Sequence, residues 1–137
     1  MERNRIIMII DDDHDDRSIF LDAVAHIDHS IICIQASDGI QGVKMLKCDK
    51  QILPDYIFLD LNLPRLNGFQ CLAEIKKDPR LLRVPVIIYS TSRRIEDACE
   101  TKRLGAAFFL TKPVLFGDIC KAISDIIETK WGSNSPC

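Results

Sequence analysis

Arg5-Ile6-Ile7-Met8-Ile9-Ile10-Asp11-Asp12-Asp13 is the stretch that decides the fold. An unbroken, largely β-branched apolar run of this length fits a strand buried on both faces, as in a parallel sheet covered by helices. Four further runs of strand length lie at 31–34, 56–59, 86–89 and 107–110. Helical patterns separate them. Residues 16–27 place Ile19, Phe20, Ala23, Val24 and Ile27 on one helix face. Residues 39–48 repeat the pattern with Ile40, Val43, Met45 and Leu46, and residues 68–77 with Phe69, Leu72 and Ile75. Residues 94–104 are polar, with Ile95, Ala98, Cys99 and Leu104 as the expected apolar side; residues 115–127 carry Ile119, Ala122, Ile123, Ile126 and Ile127. A strand-helix unit repeated five times predicts an α/β fold, a parallel sheet with helices on both faces. Punctuation agrees: Pro54-Asp55 precedes the third strand, Pro85 opens the fourth, and Gly105 stands where a helix C-cap glycine would.

The chain has 137 residues and a net charge of −2. A typical domain holds about 100–150 residues, so one domain is expected, over residues 1–130, with 131–137 as a flexible tail. The near-neutral balance argues against a dedicated nucleic-acid binder, and no direct DNA binding is expected. No apolar run approaches the roughly 20 residues of a membrane helix. The short run at 6–10 is followed by acids where a signal peptide would carry small residues, so a cytoplasmic protein is expected. Six cysteines are present, none in a C-x-x-C pair. Their scatter favours small core hydrophobes in a reducing compartment, with Cys137 in the polar tail as the exposed exception.

Ligands of an open parallel sheet bind beyond the carboxyl ends of the strands. Here those ends carry Asp11-Asp12-Asp13, Asp60, Ser90-Thr91-Ser92 and Thr111-Lys112-Pro113. Several ionised acids in one crevice repel each other, and a hard dication removes the conflict. Mg²⁺ suits carboxylates, water and a phosphate; Zn²⁺ does not suit a crevice with no cysteine. An acid-rich helix start explains Asp13, Asp15 and Asp16 on its own. It does not explain Asp60, which follows the apolar Ile57-Phe58-Leu59. Asp60 has the features of a nucleophile toward a phosphoryl group, with Lys112 to neutralise charge and Ser90 to bond a phosphoryl oxygen. Alone, Lys112 reads better as a solvated loop lysine and Ser90 as a turn residue; the conjunction at four strand ends is the signal.

These residues resemble the receiver domain of two-component response regulators. The resemblance rests on Ile10-Asp11-Asp12-Asp13, Phe58-Leu59-Asp60-Leu61-Asn62-Leu63-Pro64, Gly68, Pro85-Val86-Ile87-Ile88-Tyr89-Ser90 and the run from Gly105 to Pro113, and covers roughly residues 4–128. It implies a flavodoxin-like sheet of order 2-1-3-4-5 with five helices. It implies that Asp60 is the phosphoacceptor and that Asp11, Asp12, Asp60 and the Asn62 backbone carbonyl hold Mg²⁺, with Mn²⁺ as a substitute. Lys112 would pair with the phosphoryl group through a strand-end loop whose Lys112–Pro113 bond is cis. Ser90 and Phe109 would be the switch hydroxyl and the switch aromatic. Phe109 lacks the hydroxyl many members carry there, and Ser92 stands where an acid or amide often tunes hydrolysis.

The family implies a bacterial signalling phosphoprotein rather than an enzyme, one that helps catalyse its own phosphorylation and dephosphorylation. A sensor histidine kinase would donate the phosphoryl group, and the face of the fourth helix, fifth strand and fifth helix would carry output to a downstream protein. The loop after Asp60, with Ile75-Lys76-Lys77-Asp78-Pro79, resembles small stand-alone receivers, some of which serve phytochrome-type kinases. A phosphorelay intermediate, passing its phosphoryl group to a histidine phosphotransfer protein, is the alternative. An aspartate-nucleophile phosphatase ranks lower, because Asn62 stands where such enzymes place a second acid. Homodimerisation, through the fourth-helix face or the tail, is left open.

Overall fold

A computed structural model describes residues 4–48 and 53–129. The proposed tail at 131–137, with Cys137, lies outside the described residues. Five strands, β1 (Ile6–Ile10), β2 (Ile32–Ala36), β3 (Tyr56–Leu59), β4 (Val86–Ser90) and β5 (Phe108–Thr111), form one parallel sheet of order β2-β1-β3-β4-β5. The helices are α1 (His14–Ile27), α2 (Gly39–Lys47), α3 (Gly68–Lys76), α4 (Ile95–Arg103) and α5 (Phe116–Glu128). A short 3₁₀ turn, Pro79–Leu81, precedes β4. Among the described residues no helix is long and apolar enough to cross a membrane.

Strand side chains alternate between two cores, as the period of two requires. Met8, Ile10, Ile57, Leu59, Val86 and Ile88 pack with Leu46 of α2 and with Cys71, Leu72 and Ile75 of α3. Ile7, Ile9, Phe58, Ile87 and Tyr89 face Phe20, Ala23 and Val24 of α1 and Ile119, Ile123, Ile126 and Ile127 of α5. The central strands β1 and β4 are therefore buried along their whole length, while the edge strands β2 and β5 are only partly covered.

Two apolar stripes differ from the expectation. In α1, Ile19 is 41% exposed, because the buried stripe runs through Phe20, Ala23 and Val24. In α4, Ile95 is 73% exposed and Cys99 is exposed too, whereas Thr101 is the buried residue. Thr101 tolerates that position because its hydroxyl donates to the carbonyl of Ala98 at 3.2 Å. The cysteine expectation holds for Cys71, which is buried, and for Cys33 and Cys120, which pack against the core; Cys48 and Cys99 are exposed. These five described cysteines are free thiols.

Two glycines shape the site end of the fold. A Cβ on Gly68 would run into the carbonyl oxygen of Asp60 and stand 2.5 Å from the Cα of Leu61. The first turn of α3 can therefore lie directly on the β3 exit loop, to which Gly68 N–H donates at the Leu61 carbonyl, 2.9 Å. Gly105 has a φ of 108° and ends α4, with its N–H on the Lys102 carbonyl and that of Ala106 on the Thr101 carbonyl. This paired arrangement is a Schellman motif, and the positive φ is what glycine supplies there.

Candidate functional site

Strand register sets the site. β1 and β3 run side by side with Ile10 opposite Leu59, so the residues that follow them, Asp11 and Asp60, emerge together. β4 and β5 pair Ser90 with Thr111, which places Lys112 at the same end. Backbone bonds fix each exit: Asp60 N–H to the Ile10 carbonyl at 3.0 Å, Asp11 N–H to the Ala36 carbonyl at 3.1 Å, and Lys112 N–H to the Ser90 carbonyl at 2.7 Å. Asp13 caps α1, accepting from the N–H groups of Asp15 and Asp16, and so aims the helix start at this edge.

Asp11 is fully buried, Asp60 is 7% exposed and Asp12 is exposed. Carboxylate oxygens of the three lie within 4.8 Å of one another. Lys112 Nζ donates to Asp16 Oδ2 at 2.7 Å, to Asp11 Oδ2 at 2.8 Å and to Asp60 Oδ2 at 3.4 Å. The Tyr89 ring lies beneath the ammonium, 5.4 Å from Nζ to centroid, within cation–π range. Burial pushes the Asp11 carboxyl up to about 6, against the lowering pull of Lys112 and of the Asp13 N–H. For Lys112, burial opposes the charge, but the bonds to Asp11 and Asp16 outweigh it and hold the ammonium above the ordinary lysine range. Burial also lifts the Tyr89 hydroxyl to about 12.

The remaining expected residues fall around this centre. Asn62 N–H reaches Asp60 Oδ1 at 3.4 Å. Ser90 is fully buried, and its Oγ accepts from the Ser92 N–H at 3.2 Å. Phe109 stands opposite Ile88 in β5 and is half-buried against the α2–α3 core. The Lys112–Pro113 bond is trans, against the expected cis isomer, since no cis peptide occurs among the described residues. Trans is the lower-energy isomer by about 0.5–1 kcal/mol, and with it Lys112 already reaches the acids.

Three site residues escaped the sequence reading. Asp16 reads as a helix-start acid, yet it is a partner of Lys112. The signal was its spacing: Asp16, Phe20, Ala23 and Ile27 form one stripe, so the acid continues the buried face beyond the sheet edge. Arg17 donates to the Asp11 carbonyl at 2.7 Å and to the Gln35 side chain at 3.3 Å, tying β1 to β2. Tyr89 reads as an ordinary strand aromatic and carries no sequence signal for its place under Lys112.

Comparison with known proteins places this geometry. The family model described as "Response regulator receiver domain" matches residues 7–124. The chain belongs to the response regulator receiver family. Among receivers of known sequence, it is 31% identical over 133 residues to response regulator Rcp1 of Synechocystis sp., covering 93% of this chain and 88% of that protein. The crystal structure of the phosphorylated cyanobacterial phytochrome response regulator RcpA superposes with a TM-score of 0.83 at 29% identity, covering 91% and 92% of the two chains. The Mn²⁺-bound form of Rcp1 gives 0.79 at 28%, covering 96% and 97%. The receiver is thus similar to phytochrome-associated response regulators, and its flavodoxin-like order matches theirs. Its acid trio also suits a divalent cation: the donors are all carboxylate oxygens, with neither cysteine nor histidine among them.

Proposed function

We propose that this receiver is a phosphorylation switch that accepts a phosphoryl group on Asp60 from a sensor histidine kinase. The observation that carries the reading is a nearly buried Asp60 with a lysine ammonium at 3.4 Å and two further acids at ligand distance. An Asp60 carboxylate oxygen attacks phosphorus, the new P–O bond forms, and the bond from phosphorus to the donor's leaving atom breaks with its electron pair. Transfer of this kind rests on positioning and charge stabilisation, since the protein itself does little covalent chemistry. Lys112 holds positive charge beside the oxygen that receives the group, and its protonation is secured by its carboxylate partners. Mg²⁺, or Mn²⁺, held by Asp11, Asp12, Asp60 and the Asn62 carbonyl, would supply further positive charge at the phosphoryl oxygens.

Ser90, at the end of β4, stands ready to bond a phosphoryl oxygen, and Phe109, one strand away, would follow it inward. The two-state change is driven only by contacts that differ between the states, here the new Ser90 and Lys112 bonds. The α4–β5–α5 side is the output surface in this reading, and Ile95, Phe108, Val114, Leu115 and Phe116 are among its exposed apolar residues. A phytochrome-type kinase as donor fits the similarity to RcpA and Rcp1. A cytoplasmic setting fits the free thiols. Acetyl phosphate with Mg²⁺ tests the proposal: the wild-type mass rises by about 80 Da, one phosphoryl group, and Asp60→Asn shows no gain. An unchanged wild-type mass, or a gain kept by Asp60→Asn, refutes it.

A further inference from the structure

Lys112 is held by more than the phosphoacceptor chemistry requires. An ammonium has three N–H donors. The bonds to Asp16 and Asp11, 2.7 and 2.8 Å, are of charge-assisted length, whereas the 3.4 Å approach to Asp60 is longer than such bonds. The lysine therefore rests on Asp11 and Asp16 and adjoins Asp60. The two supports differ in kind. Asp11 belongs to the acid trio and lies within ligand distance of Asp12 and Asp60, so a cation there draws on the same carboxylate. Asp16 lies outside that trio. It projects from the third residue of α1, a helix start fixed by the Asp13 cap and anchored below by the buried Phe20. The Tyr89 ring closes the underside of the ammonium.

We propose that Asp16 is a positioning residue for phosphotransfer: it holds the Lys112 ammonium beside Asp60 through a carboxylate that does not compete for the cation. This role rests on the phosphoacceptor reading above. Asp16 lies outside the acid trio and acts through Lys112, so its removal lowers the maximal rate and leaves donor affinity alone. Misplacing a group by about 1 Å can cost as much as a hundredfold in rate, and Asp11 still holds part of the ammonium in the variant.

The test measures phosphorylation by acetyl phosphate at saturating Mg²⁺, as intact mass against time and donor concentration, together with the ¹H–¹⁵N ammonium signal of Lys112 in ¹⁵N-lysine-labelled protein. For Asp16→Asn the maximal rate is expected to fall roughly 3- to 30-fold, with the half-saturating donor concentration within about twofold of wild type. The Lys112 ammonium signal is expected to be visible in wild type and lost to solvent exchange in Asp16→Asn. Asp16→Glu recovers most of the rate. Asp15→Asn removes the same charge from the same helix turn, at a residue fully in solvent, and behaves as wild type. The proposal is overturned if Asp16→Asn keeps the wild-type maximal rate and ammonium signal, if Asp15→Asn slows transfer equally, or if the loss lies in donor affinity. Failure of the underlying reading looks different: wild type then gains no mass at all, while the ammonium signal still reports whether Asp16 anchors the lysine.

Discussion

Replacing Lys112 with methionine removes one charge from the centre of the site and keeps an unbranched apolar stem over Tyr89. The Asp11 carboxylate loses the ammonium that pairs with it at 2.8 Å while its side chain stays 1% exposed. Removing one member of a buried ion pair typically costs about 3–5 kcal/mol, because the other charge is left uncompensated. Here the figure is smaller, since the Asp16 side chain is 36% exposed and water reaches that side of the cluster. A loss of about 2–3 kcal/mol at pH 8 follows. With a urea slope near 2 kcal/mol per molar, the midpoint falls by about 1–1.5 M. The pH dependence gives the argument its sharpest form. Asp11 already has a raised value of about 6, so its contribution to stability is greatest at low pH and is lost as pH rises through about 6. Lys112 limits that loss by favouring the ionised form. Without Lys112 the deficit is therefore largest at pH 8 and shrinks toward pH 5, where Asp11 carries its proton. Mg²⁺ added at pH 8 restores stability to the variant by mass action. Urea melts of wild type and Lys112→Met at pH 5 and pH 8, with and without Mg²⁺, decide it. Equal stability of the two proteins at pH 8 would refute the reasoning, as would a deficit that does not change with pH.

Other expectations follow from the same geometry. Gly68→Ala gains up to about 1 kcal/mol of helix propensity at most, but its methyl meets backbone at Asp60 and Leu61, and overpacking of that kind costs about 1–3 kcal/mol. The net effect is a lower urea midpoint and slower phosphorylation, since it is the Asp60 loop that must move. Gly105→Ala forces a positive φ on an L-residue and lowers stability by about 1–2 kcal/mol in a thermal melt, with Asp60 chemistry unchanged. Mg²⁺ affinity measured by calorimetry falls as pH drops through about 6, because protonated Asp11 no longer serves as a ligand. Ser90→Ala still gains the phosphoryl mass but loses the accompanying change in amide chemical shifts around Phe109.

Much of this was legible in the chain, for a physical reason. β1, β3 and β4 are buried on both faces along most of their length, so their sequences are largely apolar, and the acids directly after β1 and β3 stand out. Asp60 and Asp11 could therefore be placed at one sheet edge without coordinates. What periodicity misjudged lay at the margins. Ile95 and Cys99 satisfy a helical apolar pattern, yet α4 packs against the edge strand β5, and Thr101, its hydroxyl bonded to the Ala98 carbonyl, is buried in their place. Asp16 was hidden by its own plausibility, because helix starts favour acids whether or not a lysine is near. Tyr89 fills a core position as any large apolar residue would, and only the return of β5 brings Lys112 over its ring. The isomer of Lys112–Pro113 was an expectation from resemblance alone, and nothing in the residues themselves required it.

The central claim is that Asp60, and no other acid of the cluster, carries the phosphoryl group. Borohydride reduces an aspartyl phosphate to homoserine, and peptide mapping then locates the modified position. After acetyl phosphate and Mg²⁺ treatment of the wild-type protein, homoserine is predicted at position 60 alone. Homoserine at position 11, 12 or 16, or none anywhere, contradicts the account.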